Sequence, residues 1–287
     1  MNEKIKLQEA FLHKYPKTAQ KICAYFEEAT GQEADFENLT KPNLARFVDY
    51  LQDHLAGTSV KTYLAQLKAV MNIYSEDFDF PKGWEKMITV KDDESQSTYL
   101  TETEIQRIID YKPDTLTKAT VQQQFVLGCL TGARHSDYSK FTEKNLTQHG
   151  TLVYVSQKTH TKAELPLSPV AKSILFAKGT PFAQAYKRTV SDTTFNEVIR
   201  TICKQCGINN QIQLYRRGEF WTGEKWEAVS THTARKSFCS NLYLRCRDLY
   251  LVSKLAGHKD VSMTERYICV GMESMTDAAM AYFEQFK

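Results

Sequence analysis

Apolar residues fall at intervals of three and four through most of the chain, and this spacing predicts a succession of amphipathic helices. Residues 16–31 place Ile22, Tyr25, Phe26 and Ala29 on one side and stop near Gly31. A second helix starts at Thr40 and carries Leu44, Phe47, Val48 and Leu51, with Pro42 in the first turn, where its missing N–H costs nothing. Ser59 caps a third, whose stripe is Val60, Tyr63, Leu64, Leu67, Val70, Met71 and Tyr74. Residues 1–80 therefore read as a small helical bundle. The next stretch, 81–98, is polar and loses the periodicity, as a linker does, before the capping box Thr101-x-x-Glu104 restarts helical structure.

Ile105, Ile108 and Ile109 mark the first helix of a second part, residues 99–287, and Val121 to Leu130 a longer and more apolar one. The period then changes. Leu152-Val-Tyr-Val-Ser156 alternates, Gln157 to Ala163 is polar, and Glu164-Leu-Pro-Leu167 returns, which predicts a β-hairpin. Helices follow at 168–178 and 191–206, and residues 211–229, rich in Tyr, Trp, Arg and Gly, read as a loop or a strand pair. Three more helices are expected: one on His232, one capped by Asp248 and stopping at Gly257, and one opened by the box Ser262-x-x-Glu265, which places Tyr267 near a helix start. A last helix over 274–287 would carry Met275, Ala279, Tyr282, Phe283 and Phe286 as an apolar stripe. The expected architecture is mostly α with a small antiparallel β-sheet.

Composition narrows the class. At 287 residues, 42% hydrophobic and 25% charged, the chain has the make-up of a two-domain globular protein. No apolar run approaches bilayer length and the first residues lack the apolar core of a signal peptide, so a cytoplasmic protein without membrane association is expected. Seven cysteines, an odd number mostly set in apolar segments, read as reduced thiols, and Cys203-Lys-Gln-Cys206 lacks the second pair that a zinc site would need. The net charge of +3 is modest, but residues 1–90 contain 11 Lys and Arg against 13 Asp and Glu, whereas the remainder holds 26 against 21. The positive excess lies in the second part, where a nucleic-acid footprint is expected.

Candidate chemistry concentrates between His232 and Tyr267. His232 and Arg235, at i and i+3 on one helix, can address one anion, and a guanidinium favours a phosphate that it grips through two N–H groups. Tyr267 is a weak nucleophile while protonated, since a phenol ionises only near pH ~10, so it needs a base, for which His232 and His258 are the candidates. Upstream, an apolar run ends in Thr131-Gly132 and delivers a second cation, Arg134, followed by Asp137.

With Arg134, Lys158, His232-x-x-Arg235, His258 and Tyr267 in this order, the chain resembles the tyrosine recombinases of the phage-integrase family. Intervals of 24 residues from Arg134 to Lys158, 23 from Arg235 to His258 and 9 from His258 to Tyr267 fit that family. The resemblance implies an N-terminal SAM-like core-binding bundle and an α+β catalytic domain. It implies cleavage and rejoining of DNA through a 3′-phosphotyrosyl link, with neither metal nor other cofactor. Tyr267 would attack, Arg134 and Arg235 would clamp the phosphate, and Lys158, with Lys162 as the reserve, would protonate the leaving oxygen. His232 would take the tyrosine proton, His258 would hydrogen-bond the phosphate, and Asp137 would orient a catalytic side chain. Arg46, Lys61, Lys68, Lys162, Arg216 and Arg217 are candidates for further DNA contacts. The implied partners are duplex DNA with core recombination sites and, in the synaptic complex, three more copies of a chain that is monomeric when free. Nothing resembles an arm-binding module, which points to the simple two-domain type. Supercoil relaxation, as by a type IB topoisomerase, is the nearest alternative activity, and non-catalytic DNA binding the alternative class.

Overall fold

The computed structural model describes residues 5–55, 57–89, 96–216, 219–269 and 283–284. The chain divides into two compact units, one of residues 1–95 and 215–219, the other of residues 96–214 and 220–287.

The first unit is a helical bundle of α1 (Leu7–Lys14), α2 (Ala19–Thr30), α3 (Lys41–His54), α4 (Gly57–Ile73) and the single turn α5 (Trp84–Met87). Helix α2 ends because Gly31 adopts φ 71°, the left-handed conformation that glycine reaches without a Cβ penalty. Pro42 sits in the first turn of α3, while Ser59 lies inside α4 rather than before it. The apolar stripes converge on a core containing Phe11, Ile22, Phe26, Leu44, Phe47, Leu51, Leu64 and Leu67. That core also takes in Trp84 and Ile88, both from the stretch expected to be linker. Burying an indole outweighs the polar composition around it.

The second unit is organised on α7 (Leu116–Thr131), which is buried around almost its whole circumference. Gln122 and Gln124, unexpected inside a core, serve as anchors. The Gln122 amide donates to the Ile108 and Tyr111 carbonyls at 2.7 and 2.8 Å, and Gln124 donates to Tyr186 and Arg188 at 2.7 Å each. Each amide thus pairs with carbonyls in the 108–111 or the 186–188 stretch, tying those segments to α7. Around α7 pack α6 (Glu102–Asp110), which begins with the expected Thr101–Glu104 capping box, α9 (Pro169–Phe176), α10 (Asp192–Gln205) and α11 (Thr231–Cys246). Helices α7 and α11 approach closely at Gly128, where a Cβ would lie 2.8 Å from that of Ala234.

The predicted hairpin is present as β1 (Thr151–Val155) and β2 (Lys162–Pro166), antiparallel, with Tyr154 opposite Ala163. The aromatic stretch resolves as a strand pair, β3 (Gln211–Arg216) and β4 (Glu219–Glu224). The architecture is therefore mainly helical with small two-stranded antiparallel sheets. Two short helices complete the unit, α12 (Leu249–Ala256) and α13 (Val261–Glu265). The apolar helix expected over 274–287 lies outside the described residues except for 283–284. All seven cysteines are free thiols, with Cys23 inside the first core and Cys129, Cys203 and Cys239 inside the second. No helix among the described residues is long and apolar enough to cross a membrane.

Candidate active site

Gly132 closes α7 with φ 65°, and the reversal it permits places Arg134 at the N-cap of the single turn α8 (His135–Tyr138). A side chain at Gly132 would run into Phe238, since a Cβ would lie 2.5 Å from its ring. The Gly132 carbonyl accepts a hydrogen bond from Arg235 Nη1, so the glycine that turns the chain toward one guanidinium also holds the other. Arg134 Nη1 donates to Ser156 Oγ at 2.8 Å, at the end of β1. His135 has a structural place beside it, within hydrogen-bonding distance of Gln124 Oε1 (3.3 Å) and Asp192 Oδ1 (3.1 Å).

Arg235 comes from the first turn and a half of α11 and is 2% exposed. Its Nε and Nη2 have no hydrogen-bond partner among the described residues. Burial and the nearby Arg134 both disfavour its charge, an expensive arrangement for a cation that has no carboxylate partner among the described residues. The guanidinium carbon stands 5.2 Å from the centre of the Tyr267 ring. The His258 imidazole also lies beside that phenol, 4.9 Å between ring centres.

His258 follows Gly257, the left-handed cap of α12, and is buried. A Cβ on Gly257 would press to 2.9 Å from that of Ala163, so the glycine lets α12 lie against β2. The imidazole Nδ1 is 2.8 Å from Thr264 Oγ1, and Nε2 is buried without a partner among the described residues. Burial, reinforced by Arg235 and Arg134, pushes the His258 pKa down to about 3, so this ring is neutral at physiological pH. His232, in the first turn of α11, faces solvent; crowding by protein atoms and the positive Lys236 and Lys158 lower its pKa as well.

Tyr267 departs from the expected position. Asp260, not Ser262, caps α13, accepting from Met263 N at 3.0 Å and also from the Ser262 hydroxyl. A carboxylate two residues upstream outcompetes the Ser–Glu box, and the helix ends at Glu265. Tyr267 therefore sits in the turn after the helix, where the dipole does not favour an anion, and the guanidinium of Arg235 supplies the positive field instead.

Lys158 is exposed in the turn between β1 and β2, close enough to His232 to depress its protonation. Asp137, expected to orient a catalytic side chain, makes its contact on this turn: its Oδ1 accepts from Gln157 N at 3.0 Å. Lys162 is exposed and ion-paired with Glu164 at 3.1 Å. Arg46 is exposed on α3, Lys61 and Lys68 are half-buried on α4, Arg216 ends β3, and Arg217 lies outside the described residues. Sequence reasoning missed Ser156, Thr264 and Tyr154. The Tyr154 phenol is raised to about 12 by burial against the pull of Arg235. Among the described residues no three His, Cys, Asp or Glu side chains gather as a metal site.

The phage integrase family model matches residues 98–273, which contain Arg134, Lys158, His232, Arg235, His258 and Tyr267. The chain belongs to the phage integrase family. As a member it is a site-specific DNA recombinase. It is 22% identical over 290 residues to tyrosine recombinase XerD of Oceanobacillus iheyensis, an alignment covering 96% of this chain and 93% of that protein. Its fold is similar to that of the Tn1549 transposon integrase in complex with a circular intermediate DNA (TM-score 0.66, 12% identity, 97% of this chain and 100% of that one). It is also similar to lambda integrase bound as a dimer to a COC′ core site (TM-score 0.65, 14% identity, 91% and 92%) and to XerH recombinase bound to palindromic difH (0.64, 17%, 94% and 79%).

Proposed function

We propose that this recombinase cleaves and rejoins duplex DNA with Tyr267 as its nucleophile. The observation that carries the reading is a phenol close to three buried donor or acceptor atoms that have no partner among the described residues: Arg235 Nε and Nη2, and His258 Nε2. Unpaired buried polar groups are costly, and a scissile phosphate would satisfy all three.

Tyr267 Oη attacks phosphorus, forming a 3′-phosphotyrosyl bond as the bond from phosphorus to the 5′-oxygen breaks. His232, neutral near pH 7 and solvent-facing, takes the phenol proton. Lys158, on its exposed turn, delivers a proton to the departing 5′-oxygen. Arg134 and Arg235 bind the non-bridging oxygens and stabilise the charge of the pentacoordinate transition state, with His258 adding a hydrogen bond. One phosphodiester is exchanged for another, so attack by a 5′-hydroxyl of a second duplex completes strand transfer without external energy. Asp137 steadies the Lys158 turn through Gln157.

Other basic residues, Arg46, Lys61, Lys68, Lys162, Arg216 and Arg217, supply backbone contacts, and residues 1–80, with Trp84 and Ile88 packed into the same core, form the core-binding domain, joined through the remainder of 81–98 to the catalytic domain, 99–287. The active assembly is a tetramer on paired core sites, formed from free monomers in the cytoplasm. Lambda integrase has been seen as a tetramer on a Holliday junction, which supports this reading.

A nicked suicide substrate tests it. Wild-type protein is expected to become covalently attached to DNA on denaturing gels, while Tyr267→Phe binds the same duplex without attachment. Trapping of the Phe variant would overturn the assignment.

A further inference from the structure

Thr264 is fully buried, and it touches both partners of the phenol–imidazole pair from one backbone position. Its hydroxyl lies 2.8 Å from His258 Nδ1, and its carbonyl accepts the Tyr267 N–H at 2.9 Å. The two rings it holds stand 4.9 Å apart. We infer that Thr264 is a positioning residue that sets the tautomer of His258 by donating its hydroxyl hydrogen to Nδ1, leaving the ring proton on Nε2.

A neutral imidazole has one N–H and one lone pair, and the hydrogen bond at one nitrogen decides which is found at the other. His258 is buried among positive groups that keep it neutral. With Nδ1 accepting from Thr264, Nε2, which has no partner among the described residues, carries a hydrogen and becomes a donor, the role required for a phosphate oxygen. The opposite tautomer would turn a lone pair toward that oxygen and repel it. The backbone link to Tyr267 means the same residue also fixes the spacing between donor and nucleophile. Valine matches threonine in shape but has no hydroxyl, so Thr264→Val removes the tautomer control while retaining the packing.

The inference rests on the proposed role of His258, and its test separates the two. Nitrogen NMR of histidine-labelled, DNA-free protein is expected to show His258 protonated at Nε2 in the wild type and in Thr264→Ser, and as a mixture of tautomers in Thr264→Val. Single-turnover cleavage of the suicide substrate should fall by about 10- to 100-fold in Thr264→Val, the range for losing a partner that orients a functional histidine, with DNA affinity little changed and Thr264→Ser close to wild type. A wild-type ring protonated at Nδ1, or an unchanged tautomer in Thr264→Val, would overturn the inference even where cleavage proceeds through Tyr267. Absence of any covalent complex with the wild-type protein would instead overturn the proposed function while leaving the tautomer result intact.

Discussion

Replacing His258 by Gln is expected to make the second unit less sensitive to acid, and the size of the effect follows from the environment of the ring. An unfolded histidine titrates near 6.5, whereas the folded ring does not protonate until about pH 3. Between these values the unfolded chain binds the extra proton, so stability rises with pH across the window; this contribution is fully present above pH 6.5 and is lost as pH falls toward 3. The complete loss would approach 5 kcal/mol, at about 1.36 kcal/mol for each unit. A milder test avoids that extreme. At about pH 5.5, one unit below the unfolded value, the loss is RT ln 11, or about 1.4 kcal/mol, and it is independent of the folded value so long as that lies well below 5. Urea denaturation at about pH 7.5 and 5.5 should show the wild type losing about 1.4 kcal/mol more than His258→Gln, because the other titrating groups cancel in the difference. Equal losses in the two proteins, or a His258 proton resonance that titrates near pH 6 in the folded wild type, would refute the buried neutral ring.

Three further outcomes test other parts of the site. Arg235→Lys should reduce single-turnover cleavage by roughly 100-fold or more, since a point charge cannot replace the two guanidinium nitrogens that have no partner among the described residues; a near-normal rate would exclude bidentate phosphate binding. A substrate with sulfur at the leaving 5′ position should restore cleavage to Lys158→Ala, and rescue confined to Lys162→Ala would move the general acid to Lys162. Gly132→Ala should destabilise the protein by roughly 2–5 kcal/mol, from the left-handed backbone together with the Phe238 clash, and a loss under about 1 kcal/mol in chemical denaturation would show that α7 can end another way.

Much of this site was readable in the sequence because its parts are bound to local signals. The Thr131-Gly132 stop announces the turn that presents Arg134, the Gly257 stop delivers His258, and the alternating 152–156 run fixes the hairpin that carries Lys158. What escaped depends on tertiary contact or on competition between similar signals. Helix α1 is short, and only Leu7, Ala10 and Phe11 are buried on it. Trp84 and Ile88 join the first core from a polar stretch. Asp260 and Ser262 both make acceptable helix caps, and which one wins decides whether Tyr267 lies at a helix start or beyond its end. Ser156 and Thr264 are ordinary hydroxyl residues until folding brings Arg134 and His258 to them.

The sealed thiols give each unit an internal clock. Burial raises Cys23 to about 11 and Cys239 to about 12, and drives Cys129 and Cys203 upward too, so in the closed protein these sulfurs are neither accessible nor ionised. An alkylating reagent reaches Cys23 only when the first bundle opens, and Cys129, Cys203 or Cys239 only when the second unit does. The time course of modification at each cysteine, read by mass spectrometry on the unmodified sequence, thus records how often each half breathes, with and without DNA.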